Sequence, residues 1–225
     1  MKRSIILFIL LTVLTSISTE AQIDIGIISG VNLSTATQRN IDVLDINGKT
    51  LLSIGAVADI CLFDNLSLQI EPMYVQKGSK MTPIDINESE YSLSASYIEL
   101  PVLLKYSYGT TFRPYVTAGA ALSFTLSSEL ETEIGGVNFT GDLKNVTEKI
   151  EYSLTFGGGV EYSLDPVTIF VEGRYSYSLN DLINSGEYSL TSGQYSFPGE
   201  IEDNVAYKNK GWQILAGVTI PLSVL

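Results

Sequence analysis

The chain has 225 residues, with 13 Lys plus Arg against 25 Asp plus Glu, one cysteine, no histidine and a formal net charge of −12. That balance argues against a nucleic-acid partner, because phosphate binding needs a basic patch. Without histidine there is no Ser-His-Asp or Cys-His catalysis and no histidine metal site, and Cys61 alone forms no internal disulfide.

Lys2 and Arg3 precede an apolar run from Ile5 to Leu14, and Thr19, Glu20 and Ala21 offer a cleavage site before Gln22. This is the layout of a secretory signal peptide over residues 1–21. The run falls well short of the roughly 20 apolar residues of a spanning helix, and no later stretch supplies one. Residues 22–225 are expected to form one domain.

Two-residue alternation dominates that domain. Leu52, Ile54, Ala56, Ala58, Ile60 and Leu62 alternate with Ser53, Gly55, Val57, Asp59 and Cys61, which gives a strand with one apolar and one mixed face. Eight such segments follow in order: Ile23 to Leu33, Leu51 to Leu62, Leu66 to Lys77, Ser96 to Tyr108, Arg113 to Leu126, Lys149 to Leu164, Val167 to Ser178 and Lys210 to Leu222. Each reaches the ~9 to 11 residues of a tilted spanning strand. Their connections alternate in length. Phe63 to Asn65, Gly109 to Phe112 and Asp165 to Pro166 are tight, whereas Ser34 to Thr50, Gly78 to Ala95, Ser127 to Glu148 and Leu179 to Asn209 are long and polar. An even strand number with short turns at one end and long loops at the other predicts an all-β, eight-stranded antiparallel up-and-down transmembrane β-barrel. Short turns and both termini are expected on the periplasmic side of a bacterial outer membrane, with the long loops outside.

A secreted lipocalin-like barrel would turn the same apolar face inward and leave the mixed face in water. The mixed face is rich in Ser, Gly, Thr and Ala, with only one or two charges per strand. A water-facing surface normally carries about 25 to 35% charged residues, so lipid on the apolar face is the better fit. Aromatic residues near the strand ends, among them Tyr106, Tyr108 and Tyr162 at one end and Tyr74, Phe124, Tyr152, Tyr175 and Trp212 at the other, suit two headgroup levels. The facing of the first segment is left open by Ile23, Ile25, Ile27 and Ile28.

Asp59, Glu71, Lys77, Glu99, Lys105, Arg113, Glu151, Glu161, Glu172 and Arg174 fall on the inner face, where charge is tolerable only in pairs. Glu172, Glu161 and Glu99 are candidate partners of Arg174. Counting back from the Asp165-Pro166 turn sets Glu172 near Gly159 and Arg174 near Gly157, whose missing side chains leave room. Pro101 falls near Gly119, and a bulge or widening is expected both there and at Pro72.

Paired carboxylates such as Glu99 and Glu172 could do acid and base work, but a structural ion network explains them more simply. Gly48-Lys49-Thr50 lacks the earlier glycine of a phosphate loop, since position 43 is Val43, and Gly157-Gly158-Gly159 lies within a strand. Glu129, Glu131, Glu133 and Asp142 show no calcium-ligand spacing. No catalytic residue, cofactor or metal is expected, and Cys61 is expected to pack inertly. Tyr188, Tyr195, Phe197 and Tyr207, spread among small polar residues of the longest loop, have the composition of a recognition surface.

Gly30-Val31-Asn32-Leu33-Ser34, the run from Tyr97-Ile98-Glu99-Leu100-Pro101 to Lys105-Tyr106, and Gly173-Arg174-Tyr175 followed by Leu179-Asn180-Asp181-Leu182 resemble the PorT-like bacterial outer-membrane β-barrel family. That resemblance spans essentially the whole chain after residue 21. It implies an eight-stranded barrel and no particular activity, and the chain departs from many outer-membrane proteins in ending on Leu225 rather than an aromatic residue.

The expected function is therefore that of a monomeric integral outer-membrane barrel with a structural or loop-mediated binding role. Its partners would be outer-membrane lipid and an extracellular or envelope protein or glycan. A barrel enzyme acting on lipid or peptide and a soluble ligand-binding barrel are the alternatives.

Overall fold

The computed structural model describes residues 22–39, 44–83, 91–134, 136–193, 195–201 and 206–224, so the leader expected over residues 1–21 lies outside them. Twelve strands form one antiparallel sheet: β1 (Ile23–Arg39), β2 (Leu44–Phe63), β3 (Leu66–Ile70), β4 (Met73–Pro83), β5 (Tyr91–Ser107), β6 (Phe112–Ile134), β7 (Val137–Asp142), β8 (Ile150–Ser163), β9 (Thr168–Ser178), β10 (Gly186–Ser192), β11 (Tyr195–Ile201) and β12 (Ala206–Pro221). Pairing passes from β1 to β2, on to β3 and β4, then to β5, β6, β8, β9 and β12, and β12 returns to β1. The ring is closed and leaves no open edge along its wall.

Alternation sets which side chains face in. Ser53, Val57, Thr117, Ser123, Ser153 and Gln213 are buried, while Leu52, Ile54, Val116, Leu122, Leu154, Trp212 and Ile214 point out and are exposed. The first strand, whose sequence left its facing open, follows the same rule. Ile28, Asn32 and Ser34 turn inward, and Ile27, Val31 and Leu33 turn outward. An exposed apolar band this continuous far exceeds the patch a water-soluble monomer tolerates, and it carries a chain of ring contacts from Phe156 to Tyr175 (5.7 Å) and on to Trp212 (5.2 Å).

The two prolines act together, and only Pro72 disturbs its strand. Pro101 lies opposite Ala121 rather than Gly119, and β5 runs through it without a bulge. The ladder does break at the other expected place, at Glu71 and Pro72, between β3 and β4. Glu71 donates its N–H to the Pro101 carbonyl (3.1 Å) and Ala56 to the Pro72 carbonyl (3.0 Å), and neither proline has an N–H to return. The register survives the break. The step from Ile70 to Met73 is matched by Val102 to Glu99 on β5 and by Ala58 to Gly55 on β2.

The long connections are largely strand, against the expectation of structureless loops. β1, β2, β4, β5 and β6 continue into segments expected to be loop, and the connection from Leu179 to Asn209 contains the β10–β11 hairpin, which pairs onto β7 through Leu190 and Thr191. Residues 143–149 and 179–184 fold over that end of the ring. The Glu148 N–H binds the Leu182 carbonyl, Leu182 N–H that of Tyr207, and Asn184 N–H that of Val146, each at 2.7 Å. Leu143, Val146, Leu182, Tyr207 and Tyr97 pack there as one apolar cluster, a cap over the lumen.

Candidate functional site

Inside the ring, charges brought by strands distant in sequence meet in three levels. Nearest the short connections, the Lys105 ammonium contacts Asp59 (2.7 Å) and Glu161 (2.5 Å), and the Arg113 Nε reaches Glu161 at 3.0 Å. Arg113 also donates to the Ser107 hydroxyl, and Lys105 stands over the Tyr115 ring at 4.7 Å.

At mid-height, Arg174 lies 2.7 Å from Glu71 and 3.6 Å from Glu172, all three completely shielded. Glu172 accepts from the Tyr115 hydroxyl (2.9 Å) and from Thr117 (3.4 Å). Of the three partners the sequence offered for Arg174, only Glu172 is there. Glu161 and Glu99 serve the other levels, and the nearest partner is Glu71.

Nearest the cap, the Lys77 ammonium contacts Glu99 (2.6 Å) and Glu151 (2.7 Å) over the Tyr97 ring. The Ser123 hydroxyl donates to Glu99 and Asn209 to Glu151. Between the levels lie Ile28, Val57, Met73, Val75, Phe170 and Leu215.

Small residues make this packing possible. Gly157 faces Arg174 and Gly159 faces Glu172, as the turn count indicated. A Cβ on Gly157 would come within 2.5 Å of the Arg174 Cβ, and one on Gly159 within 2.6 Å of the Tyr115 ring.

The open end differs. A cavity of about 160 Å³ enters from the short-connection side, with Asp24, Asp59, Gln69, Lys105 and Arg113 in its wall. Cys61 lines it too, exposed and free rather than packed.

The four loop aromatics do not form one surface. Tyr207 is buried in the ring's mouth, its hydroxyl 2.5 Å from that of Ser79, because β12 starts before Lys210 and its inner face includes Tyr207 and Asn209. Tyr188 is half-buried on β10 beside the cap, where burial and Tyr91 push its phenol above the ordinary tyrosine range. Only Tyr195 (64%) and Phe197 (53%) are well exposed, with Phe197 edge-on to Phe139 at 5.7 Å.

Carboxylates held by cations inside a filled lumen neutralise and brace one another, and among the described residues no group of three or more candidate ligands is placed to hold a metal ion. Comparison with known proteins places the architecture. No protein of curated description matches the chain. A major outer membrane protein of Thermus thermophilus shares the fold at a TM-score of 0.56 and 8% identity, over 90% of this chain and 100% of that one. Neisserial surface protein A matches at 15% identity and a TM-score of 0.42 (88% and 96% of the two chains), and the Escherichia coli outer membrane protease OmpT at 10% and 0.43 (92% and 100%). The family model described as outer membrane protein beta-barrel domain matches residues 18–184. The chain belongs to this family of outer-membrane β-barrel proteins.

Proposed function

We propose that the protein is a closed outer-membrane barrel that works by binding at its capped end, without conduction or catalysis. β3 and β4 act as one strand interrupted by Pro72, so eight strands span the bilayer, which is the count that the PorT-like resemblance implies. Residues 1–21 are a leader removed on export, the short connections are periplasmic, and the β10–β11 end is outside. In the membrane the protein is a monomer whose apolar band meets lipid. The partner is an extracellular or envelope protein or glycan.

The observation that carries this reading is the filled lumen. Three levels of paired charge and an apolar cap occupy the path that a pore would need, while a strand pair unnecessary to the ring stands beyond it. An eight-stranded barrel has an interior that side chains just fill. Lumenal carboxylates could suggest hydrolysis, but each has a cation or hydroxyl partner that accounts for it. Reconstitution in a planar bilayer tests the proposal: the expected record shows no stable porin-like channel, and steady single-channel currents would overturn it.

A further inference from the structure

β6, β7, β10 and β11 extend past the ring as a four-stranded sheet with two unlike faces. Register places Leu130, Phe139, Leu190 and Phe197 on one face. The root of that face packs on the cap through Leu130, Tyr188 and Leu190, while Val137 (47%), Tyr195 and Phe197 remain exposed toward the tip. The opposite face carries Glu129, Glu131, Glu133, Asp142, Glu187 and Glu200, all exposed.

Charge on this second face is arranged against the stability of the sheet. Glu129 stands directly opposite Asp142, and Glu187 opposite Glu200. Like charges at such positions destabilise a strand pair. Neither 129–142 nor 186–201 contains a Lys or Arg, Lys144 reaches Asp142 through its backbone N–H (2.8 Å), and on the neighbouring β5 the Lys49 ammonium is held by Ser92 (2.7 Å) and Ser94 (2.6 Å), which stand opposite Glu131 and Glu129. Near the β6–β7 tip a cleft of about 420 Å³ has Glu131, Glu133, Asn138 and Thr140 of this face in its wall. Clustered carboxylates suit an ammonium or guanidinium group. β11 is the free edge of this sheet, and Pro198 in its middle blunts that edge against an added strand.

We propose that this sheet docks a cationic, amphipathic polypeptide segment that straddles the tip. The segment lays apolar side chains on Val137, Tyr195 and Phe197 and sets basic ones against the carboxylate face and the cleft. The proposal rests on the reading of the capped end as the binding end and adds the chemistry of the partner. Apolar contact supplies hold, and the excess of carboxylates selects sign and speeds encounter.

The test uses the full protein in zwitterionic-lipid nanodiscs, with empty nanodiscs as control. Three labelled peptides of equal length are titrated by fluorescence anisotropy: alternating Lys and Phe, alternating Glu and Phe, and alternating Lys and Ser. The Lys/Phe peptide is expected to bind roughly tenfold or more tightly than either other, and to weaken as salt rises through the range where exposed charges are screened. Replacing Glu129, Glu131 and Glu133 with Gln should weaken it and flatten its salt dependence without unfolding the sheet, since like-charge repulsion is relieved. Tyr195→Ser should weaken it at every salt concentration. Equal binding of the Lys/Phe and Glu/Phe peptides, or no effect of the Gln variant, would overturn the proposal. The two readings fail separately: a conducting barrel would leave these titrations unchanged, and a silent titration would leave the closed lumen standing.

Discussion

Arg174 and Glu71 meet at 2.7 Å in the middle of the barrel, and solvent reaches neither side chain. Removing one member of such a pair strands the other charge, at a cost of about 3 to 5 kcal/mol. Arg174→Ala should therefore lower the unfolding midpoint in detergent far more than Lys144→Ala on the exposed connection. The double variant Arg174→Met/Glu71→Met should recover much of the loss, because apolar replacement of a buried pair is often neutral. Equal effects of the two alanine variants would place Arg174 in solvent.

Gly157 and Gly173 lie in adjacent strands directly opposite Arg174 and Gly158, yet their surroundings differ. A Cβ on Gly157 meets the Arg174 side chain and the Gly173 carbonyl, whereas one on Gly173 meets nothing within 4 Å. Overpacking costs about 1 to 3 kcal/mol. Gly157→Ala should destabilise the barrel by that order in urea titration, and Gly173→Ala should be close to neutral.

Tyr207→Phe removes only the hydroxyl that Ser79 meets in the mouth of the ring. A loss of about 1 kcal/mol is expected. Tyr195→Phe, at an exposed ring, should leave stability unchanged while preserving the apolar contact that the docking proposal needs.

Cys61 is the sole cysteine and opens onto the cavity at the short-connection end. A membrane-impermeant maleimide added to intact cells should leave it unlabelled, and labelling should appear once the outer membrane is permeabilised. Labelling of intact cells would reverse the orientation proposed here.

Much of this was legible in the chain because a strand repeats every two residues and a closed ring leaves the alternation uninterrupted. The inner charges, the pairing of Arg174 with Gly157 and the tight turns followed from counting. Of the partners of Arg174, Glu172 was legible and the nearer Glu71 was not, because Glu71 reaches it across the lumen from between β3 and β4, and hairpin arithmetic describes neighbours only. The β10–β11 hairpin was missed although Tyr188 and Leu190 alternate with Glu187, Ser189 and Thr191, and Gly193 supplies the positive φ of its turn (59°). Segments too short to cross a bilayer carry no spanning-strand signal. Tyr207 was misplaced for the same reason: extending the alternation of β12 back from Gln213 through Gly211 and Asn209 turns it inward.

The three charge levels also constrain how the protein can be built. Lys77 on β4 has Glu99 on the next strand, β5, as well as Glu151 on β8, and Lys105 on β5 has Asp59 on β2 as well as Glu161 on β8, whereas the cation of Glu71 beside β3 is Arg174 on β9. A half-made sheet of the first strands pairs its ammonium groups but would present the Glu71 carboxylate to hydrocarbon without its cation, where an unpaired charge is costly. Insertion of those strands into lipid is thus penalised until β9 arrives. Sheltering Glu71 until β9 supplies Arg174 avoids that cost, and closure of the seam between β12 and β1 then completes the ring.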